Sequence, residues 1–188
     1  NNHIWPSEKK WISPVFVKDG TKLAIAEMIR SGTTCFNDMY FFSDNTAEVC
    51  VNIGMRAVIG LIVIDIPTSW ASTSDEYITK GEYIHDTFKH NPLISTAFAP
   101  HAPYTVSDDS LKRIAVLAEE LDIPIHMHIH ETNDEIEQSI KQYGKRPLSR
   151  LSDLGLLSSR LIAVHMTQLE KNEINELKRT RVRMSISM

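Results

Sequence analysis

Ile125-His126-Met127-His128-Ile129-His130-Glu131-Thr132 is the stretch from which the rest of the chain is read. A short apolar lead, Leu121-Asp122-Ile123-Pro124, precedes it, and the pattern predicts a strand over Pro124 to His130. Side chains alternate across a strand, so His126, His128 and His130 are expected on one face. Three imidazoles in line, with a carboxylate at the strand end, are costly to bury without partners. A metal ion together with a general acid would account for all of them.

The neighbouring segments alternate in the same way. Ser107-Asp108-Asp109 caps a predicted helix that runs to Leu121. Helices are predicted over Asn133 to Tyr143 and Pro147 to Leu154, a strand over Leu161 to His165, a helix over Glu170 to Lys178, and a last strand from Val182 to Ile186. Toward the N-terminus the pattern gives a helix from about Ser13 to Arg30, a strand over Thr33 to Tyr40 and a helix over Asn45 to Ile53 that Gly54 stops. A buried strand over Met55 to Ile64, a helix over Ser74 to Lys89 and a strand over Leu93 to Ala99 follow.

Six strands, each but the last followed by a helix, mean a parallel sheet, either doubly wound or a (β/α)8 barrel. The Gly-rich strand-to-helix turn of a nucleotide-binding fold is missing. Polar residues stand instead at the C-terminal ends of several strands: Asp38, His101, His128 with Glu131, and His165. Barrels build their sites at that rim, and a whole barrel takes roughly 250 residues. The expected architecture is therefore an incomplete (β/α)8 TIM barrel, about strands 2 to 7, with outer helices, over residues 1 to 188. Asn1-Asn2-His3 at one end and Met184-Ser185-Ile186-Ser187-Met188 at the other both read as cut.

Composition narrows the function. With 188 residues, 42% hydrophobic and 23% charged, the chain has ordinary globular values. A net charge of −4 gives no electrostatic footprint for nucleic acid. No apolar run suits a membrane span, and Cys35 and Cys50 form neither a disulfide framework nor a ligand pair, so a reduced, cytoplasmic setting is expected.

Three rim segments carry a resemblance: Phe98-Ala99-Pro100-His101-Ala102-Pro103-Tyr104, His126-Met127-His128-Ile129-His130-Glu131-Thr132, and Ala163-Val164-His165-Met166. Together they resemble the amidohydrolase superfamily, in its nucleoside and triazine deaminase/chlorohydrolase branch. The opening His3-Ile4-Trp5-Pro6-Ser7-Glu8 and the run Gly32 to Phe42 resemble the subfamily that deaminates 5′-methylthioadenosine and S-adenosylhomocysteine. The resemblance implies one divalent metal, zinc first and iron as the alternative. In the family it is held by a His-x-His pair on barrel strand 1, a His on strand 5 and an Asp on strand 8. The strand 5 ligand stands three residues before a Glu, which selects His128 over His126 and His130. By the same resemblance Glu131 is the proton shuttle, His165 steers the attacking water, His101 contacts substrate, and Glu8 holds ribose hydroxyls. The implied partner is a small nucleoside, with neither nucleic acid nor membrane, and with a homo-oligomer in the full-length protein.

Chemistry explains these residue types. Deamination at C6 of adenine adds hydroxide to an aromatic carbon and expels ammonia. A metal lowers the pKa of water from 15.7 to about 7. A carboxyl near the metal delivers the ring proton, and an imidazole stabilises the developing oxyanion. Asp38 is read as a polar strand-end residue; His3, His85 and His90 as surface residues; Trp5, Trp11 and Trp70 as packing.

The chain departs from the family pattern in two places. The His-x-His pair and the strand 8 Asp are missing, which leaves His128 as one of the four usual ligands. Strands 2 and 7 would be open edges, so the isolated 188 residues are expected to be unstable and to bind metal weakly. Two alternatives stay open: a deaminase or chlorohydrolase acting on guanine, cytosine or a triazine, and an inactive truncated barrel.

Overall fold

The computed structural model describes residues 4–185, with the side chain of Trp5 outside that description. His3 and the end of the last predicted strand, residues 186–188, also lie outside it. Six strands follow one another across the sheet in chain order, β1-β2-β3-β4-β5-β6. Sequential order with helical crossovers is the signature of repeated βα units. The chain divides into two compact units; β3 contributes residues 94–97 to the first and 98–100 to the second.

The first unit comprises residues 1–62 and 66–97. It opens with a helix the sequence reading did not foresee, α1 (Ile4–Trp11), which carries Pro6 near its start where no intrahelical N–H is needed. The following helix α2 (Pro14–Ser31) is bounded as its sequence dictates. Ser13 accepts from the Phe16 N–H at 3.2 Å, Pro14 sits in the first turn, and Gly32 at φ 85° closes the end. β1 (Cys35–Asp38), shorter than the predicted Thr33 to Tyr40, pairs in parallel with β2 (Arg56–Val63) in the register Cys35 to Arg56 and Asp38 to Ile59. Between them lies α3 (Ser43–Ile53). α4 (Ser74–Phe88) carries Gly81, where an added Cβ would meet the Leu61 Cβ at 3.1 Å. A helix-interior glycine costs about 1 kcal/mol relative to alanine, and the close approach to Leu61 of β2 is what it permits. Ile12, Val17 and Phe42 form a small cluster with Tyr40, Phe41 and Trp70, and the Phe42 and Trp70 rings meet edge-on at 5.0 Å.

His85 departs from the surface position expected of it. It is half-buried, with Nδ1 2.7 Å from the Thr96 hydroxyl. His90 is exposed, as is Trp11.

The second unit comprises residues 63–65 and 98–188. After β3 (Ile94–Pro100) come α5 (Asp108–Glu120), β4 (Ile125–Ile129), α6 (Asn133–Tyr143), α7 (Pro147–Asp153), β5 (Leu161–His165), α8 (Lys171–Thr180) and β6 (Arg183–Ser185). β4 pairs with β5 from Ile125–Leu161 to Ile129–His165, and β5 with β6 from Ile162–Arg183 to Val164–Ser185, all parallel. Phe98, Leu111, Ile114, Met127, Ile129, Leu148 and Leu161 are fully buried and form its apolar interior. Each such side chain contributes about 1.5–3 kcal/mol on burial. Three of these helices start at side-chain caps, Ser107 for α5, Thr132 for α6 and a reciprocal Glu170–Glu173 capping box for α8, and α7 starts at Pro147. Parallel strands deliver their C-terminal ends, and the loops after them, to one side, so β3, β4 and β5 present residues 101–107, 130–132 and 166–170 together.

Candidate active site

His128 stands on β4, and its imidazole is held by one defined contact. Nδ1 lies 2.9 Å from the carbonyl oxygen of His101, so Nδ1 carries the proton and donates. Nε2 is left with a free lone pair. Burial, first of all, lowers the His128 pKa, so the ring is neutral at physiological pH. A neutral imidazole with one nitrogen fixed by a backbone carbonyl is the form in which histidine binds a metal ion.

His101 follows β3 and is fixed in the same manner. Its Nδ1 is 3.0 Å from the Thr105 hydroxyl, which itself donates to the Ala102 carbonyl at 3.1 Å. Thr105 therefore accepts from His101, and the His101 Nε2 is an acceptor. Burial and then the neighbouring His128 hold its pKa down at about 4. The His101 and His128 ring centroids are 5.4 Å apart, and those of His128 and His165 are 5.3 Å apart. His165, the last residue of β5, places Nε2 3.6 Å from Oε1 of Glu131. The Glu131 side chain keeps 46% of its surface, while His165 keeps 19%, so the carboxylate faces the open side and the imidazole backs it. Tyr104 meets His101 edge-on at 6.1 Å.

The row of three histidines expected on one strand face is broken at its third member. His126 and His128 lie side by side, centroids 6.2 Å apart. β4 ends at Ile129, and His130 adopts φ 54°, which turns its side chain out of the row. His130 is wholly buried elsewhere. Its Nε2 accepts from the Leu148 N–H at 3.2 Å and lies 3.8 Å from Glu173. Burial lowers its pKa against the pull of Glu173. Burial acts on Glu173 in the opposite sense, but two contacts from Arg146, at 2.8 and 3.0 Å, and the Glu170 N–H leave that carboxylate lowered overall. His130 is thus a structural residue.

Several residues that the sequence reading passed over organise this rim. Glu135 in the first turn of α6 is buried, and each of its oxygens receives a backbone N–H: His130 at 3.0 Å and Glu131 at 2.8 Å. The loop after β5 is laced to the loop after β4. Met166 N–H donates to the Ile129 carbonyl and Thr167 N–H to the His130 carbonyl, both at 3.0 Å. The Thr167 hydroxyl is also within 3.0 Å of the His130 carbonyl and 2.8 Å of the Glu131 carbonyl. His165 and Met166 have φ of 75° and 51°, left-handed conformations that non-glycine residues hold only when neighbours impose them. Arg150 of α7, 3% exposed, secures the loop after β3. It stacks over Tyr143 at 4.0 Å and donates to the carbonyls of Pro103 and Val106 and to Asp108. One signal was present: Thr132-Asn133-Asp134-Glu135 is a capping-box pattern, and Glu135 reaches past the cap to the two residues before it.

Four of the five predicted site residues, His101, His128, Glu131 and His165, come together in the second unit. Glu8 belongs to the first, where the Tyr40 hydroxyl donates to its Oε1 at 2.8 Å. Asp38, also in the first unit, has a buried Oδ2 without a hydrogen-bond partner. Burial pushes its pKa up to about 6 against an N–H from Met39.

The donor set can be tested against a metal ion. Among the described residues no group of three His, Cys, Asp or Glu side chains is placed to hold one. His128 alone, through Nε2, fits a position in such a shell. A shell of three or four protein ligands needs further donors.

The rim and the parallel βα order are those of part of a (β/α)8 barrel. The family model described as "Amidohydrolase family" matches residues 2–187, and this chain belongs to that family. A relative from Saccharophagus degradans, named 5-methylthioadenosine/S-adenosylhomocysteine deaminase, is 53% identical over 92% of this chain and 39% of its own length. The crystal structure of a zinc-bound adenosine deaminase from Xanthomonas campestris superposes with a TM-score of 0.96 at 54% identity, covering 97% of this chain and 42% of that one. A guanine deaminase from C. acetobutylicum with bound guanine, at 21% identity and TM-score 0.86, covers 99% and 47% and shares the fold. The fold is therefore that of part of the family's (β/α)8 barrel, and the chain spans about two-fifths of the length of the first two of these relatives. No helix among the described residues is long and apolar enough to cross a membrane.

Proposed function

We propose that these 188 residues are the middle of one barrel domain in a metal-dependent hydrolytic deaminase of an adenosine-type nucleoside. The substrates are 5′-methylthioadenosine and S-adenosylhomocysteine, converted with water to the inosine derivative and ammonia. The observation that carries this reading is the convergence of Glu131, His165 and His128, with the Nε2 lone pair of His128 left free by its bond to the His101 carbonyl. The identity to relatives named for that activity supports the substrate class. The chemistry that a divalent metal, zinc ahead of iron, supplies when bound is activation of water at neutral pH.

The chain's own residues do the rest. His128 holds the metal through Nε2. Glu131, on the open side of the pair, takes a proton from the attacking water and passes it to the purine ring nitrogen as C6 becomes tetrahedral; it then carries the remaining proton of that oxygen to the amine, which leaves as ammonia while the C6 carbonyl forms. His165 hydrogen-bonds the attacking oxygen and stabilises the charge that grows on it. His101 offers Nε2 as an acceptor toward the base. Glu8 accepts from ribose hydroxyls and contributes orientation. The partner is thus a small nucleoside, in a soluble homo-oligomeric enzyme of the cytoplasm.

The test is to purify the full-length gene product and to follow ammonia and inosine-type product from 5′-methylthioadenosine, S-adenosylhomocysteine, adenosine and guanine. Turnover of the thio-nucleosides that chelation abolishes and zinc restores is the expected result. A preference for guanine or a triazine would refute the substrate class, and a loaded protein that deaminates nothing would refute the enzyme reading.

A further inference from the structure

We propose that Glu135 is a positioning residue, whose buried carboxylate fixes the proton-shuttling Glu131 by holding the backbone N–H groups of residues 130 and 131. The inference rests on the reading of Glu131 as the shuttle. Consecutive N–H groups that converge on one point form a small anion-binding concavity. Here the occupant is the chain's own side chain, at 3.0 and 2.8 Å. The conformation that aims the two N–H groups at Glu135 is the one in which His130 holds φ 54°. The opposite side of the same peptide segment is held by Thr167, whose hydroxyl reaches the carbonyls of both residues, 130 and 131. Glu131 therefore projects from a segment gripped on its N–H side by Glu135 and on its C=O side by Thr167. The residue two places before Thr167 is His165, the contact of the Glu131 carboxylate. The clamp thus sets one end of the Glu131–His165 distance and ties it to the strand that carries the other.

Misplacement of a reacting group by about 1 Å costs up to about a hundredfold in rate. The full-length enzyme is the object of the test, with Glu135→Gln, Thr167→Val, Glu131→Gln and the two double variants that carry Glu131→Gln. Glu135→Gln keeps the shape but leaves one acceptor oxygen, and is expected to lower kcat by about tenfold or more with KM little changed. In the Glu131→Gln background the same substitution is expected to cost less than about twofold, because a residue acting through Glu131 has nothing left to position. Thr167→Val, which removes one hydroxyl from a residue at the surface, is expected to show the same non-additivity and serves if Glu135→Gln does not fold. Full additivity in both pairs, with a large effect of Glu131→Gln alone, would overturn the positioning role and leave the shuttle reading intact. Wild-type kcat in Glu131→Gln itself would remove the shuttle reading, and the positioning role with it.

Discussion

Asp38 at the end of β1, half-buried with one oxygen fully buried, and the buried Glu135 just after β4 are both carboxylates near strand ends, and the chain treats them differently. Asp38 has a buried oxygen without a partner, and its pKa rises to about 6. Glu135 is also raised by burial first of all, yet the N–H groups of Glu131 and His130 oppose that shift. Desolvation is common to both; Glu135 has a backbone donor on each oxygen, whereas the Met39 N–H leaves the second oxygen of Asp38 unmet. After β4, backbone donors have been turned toward the carboxylate at the expense of a left-handed φ at His130. At β1 no such rearrangement has occurred, and the carboxylate stands partly unmet. The difference separates a segment built to hold a position from one whose polar end still lacks a counterpart among the described residues.

The largest effect should come from the residue that the organised rim presents. Glu131→Gln in the full-length protein is expected to lower kcat by about 10²–10⁴-fold, the usual contribution of a general acid. A steady-state assay that finds less than a tenfold loss would place the proton transfer elsewhere. Next, Arg150→Ala should destabilise the protein by about 3–5 kcal/mol, since it leaves the Pro103 and Val106 carbonyls and Asp108 without their donor. Chemical denaturation reads this directly, and an unchanged midpoint would show that the loop after β3 does not depend on its guanidinium.

Asp38→Asn sharpens the other side of the comparison. A carboxyl with a folded pKa of about 6 against an ordinary 3.8 binds its proton more tightly when folded. Its contribution is therefore fully present below about pH 4 and lost as pH rises through 6, a difference of about 3 kcal/mol at pH 8. The amide should raise the melting temperature at pH 8 and leave it nearly unchanged at pH 4. Equal shifts at the two pH values would mean that Asp38 is not the titrating group. The smallest effect belongs to Thr132→Ala, which removes the cap that starts α6 and should cost about 1 kcal/mol. Because that turn delivers Glu135, a melting shift accompanied by a fall in kcat would join the helix start to the clamp, and a melting shift alone would separate them.

Much of the fold was legible because the apolar patterning changes period cleanly. α6 and β5 run over the predicted ranges, Asn133–Tyr143 and Leu161–His165, and α3, α5 and α7 fall within two residues of theirs. The caps explain this: Ser107, Thr132 and Gly54 are local signals that need no tertiary context. α1 was missed because Ile4-Trp5-Pro6-Ser7-Glu8 has no cap before it and a proline within it. Among the candidate site residues, His128 and Glu131 were marked by the resemblance to the family's strand 5 pattern. The departure of His130 from the row was not, since a left-handed φ at a histidine is imposed by Glu135 and Thr167 from outside the strand. Arg150 and Thr167 sat in segments without a pattern; their importance lies in which carbonyls they reach, and that is decided only when the chain is folded.

The guanidinium of Arg150 has a consequence for the order in which the molecule assembles. Its partners, Asp108, Val106 and Pro103, precede it by 42, 44 and 47 residues. On the ribosome the loop that carries His101 emerges well before its clasp, and β4 and α6 are made in between. Contacts of such long sequence separation form late, after the intervening loop has closed. The loop after β3 is therefore among the last parts of its unit to acquire a fixed shape, set by a helix that follows it in the chain. A nascent chain stalled before residue 150 would carry the loop after β3 without the guanidinium that clasps it.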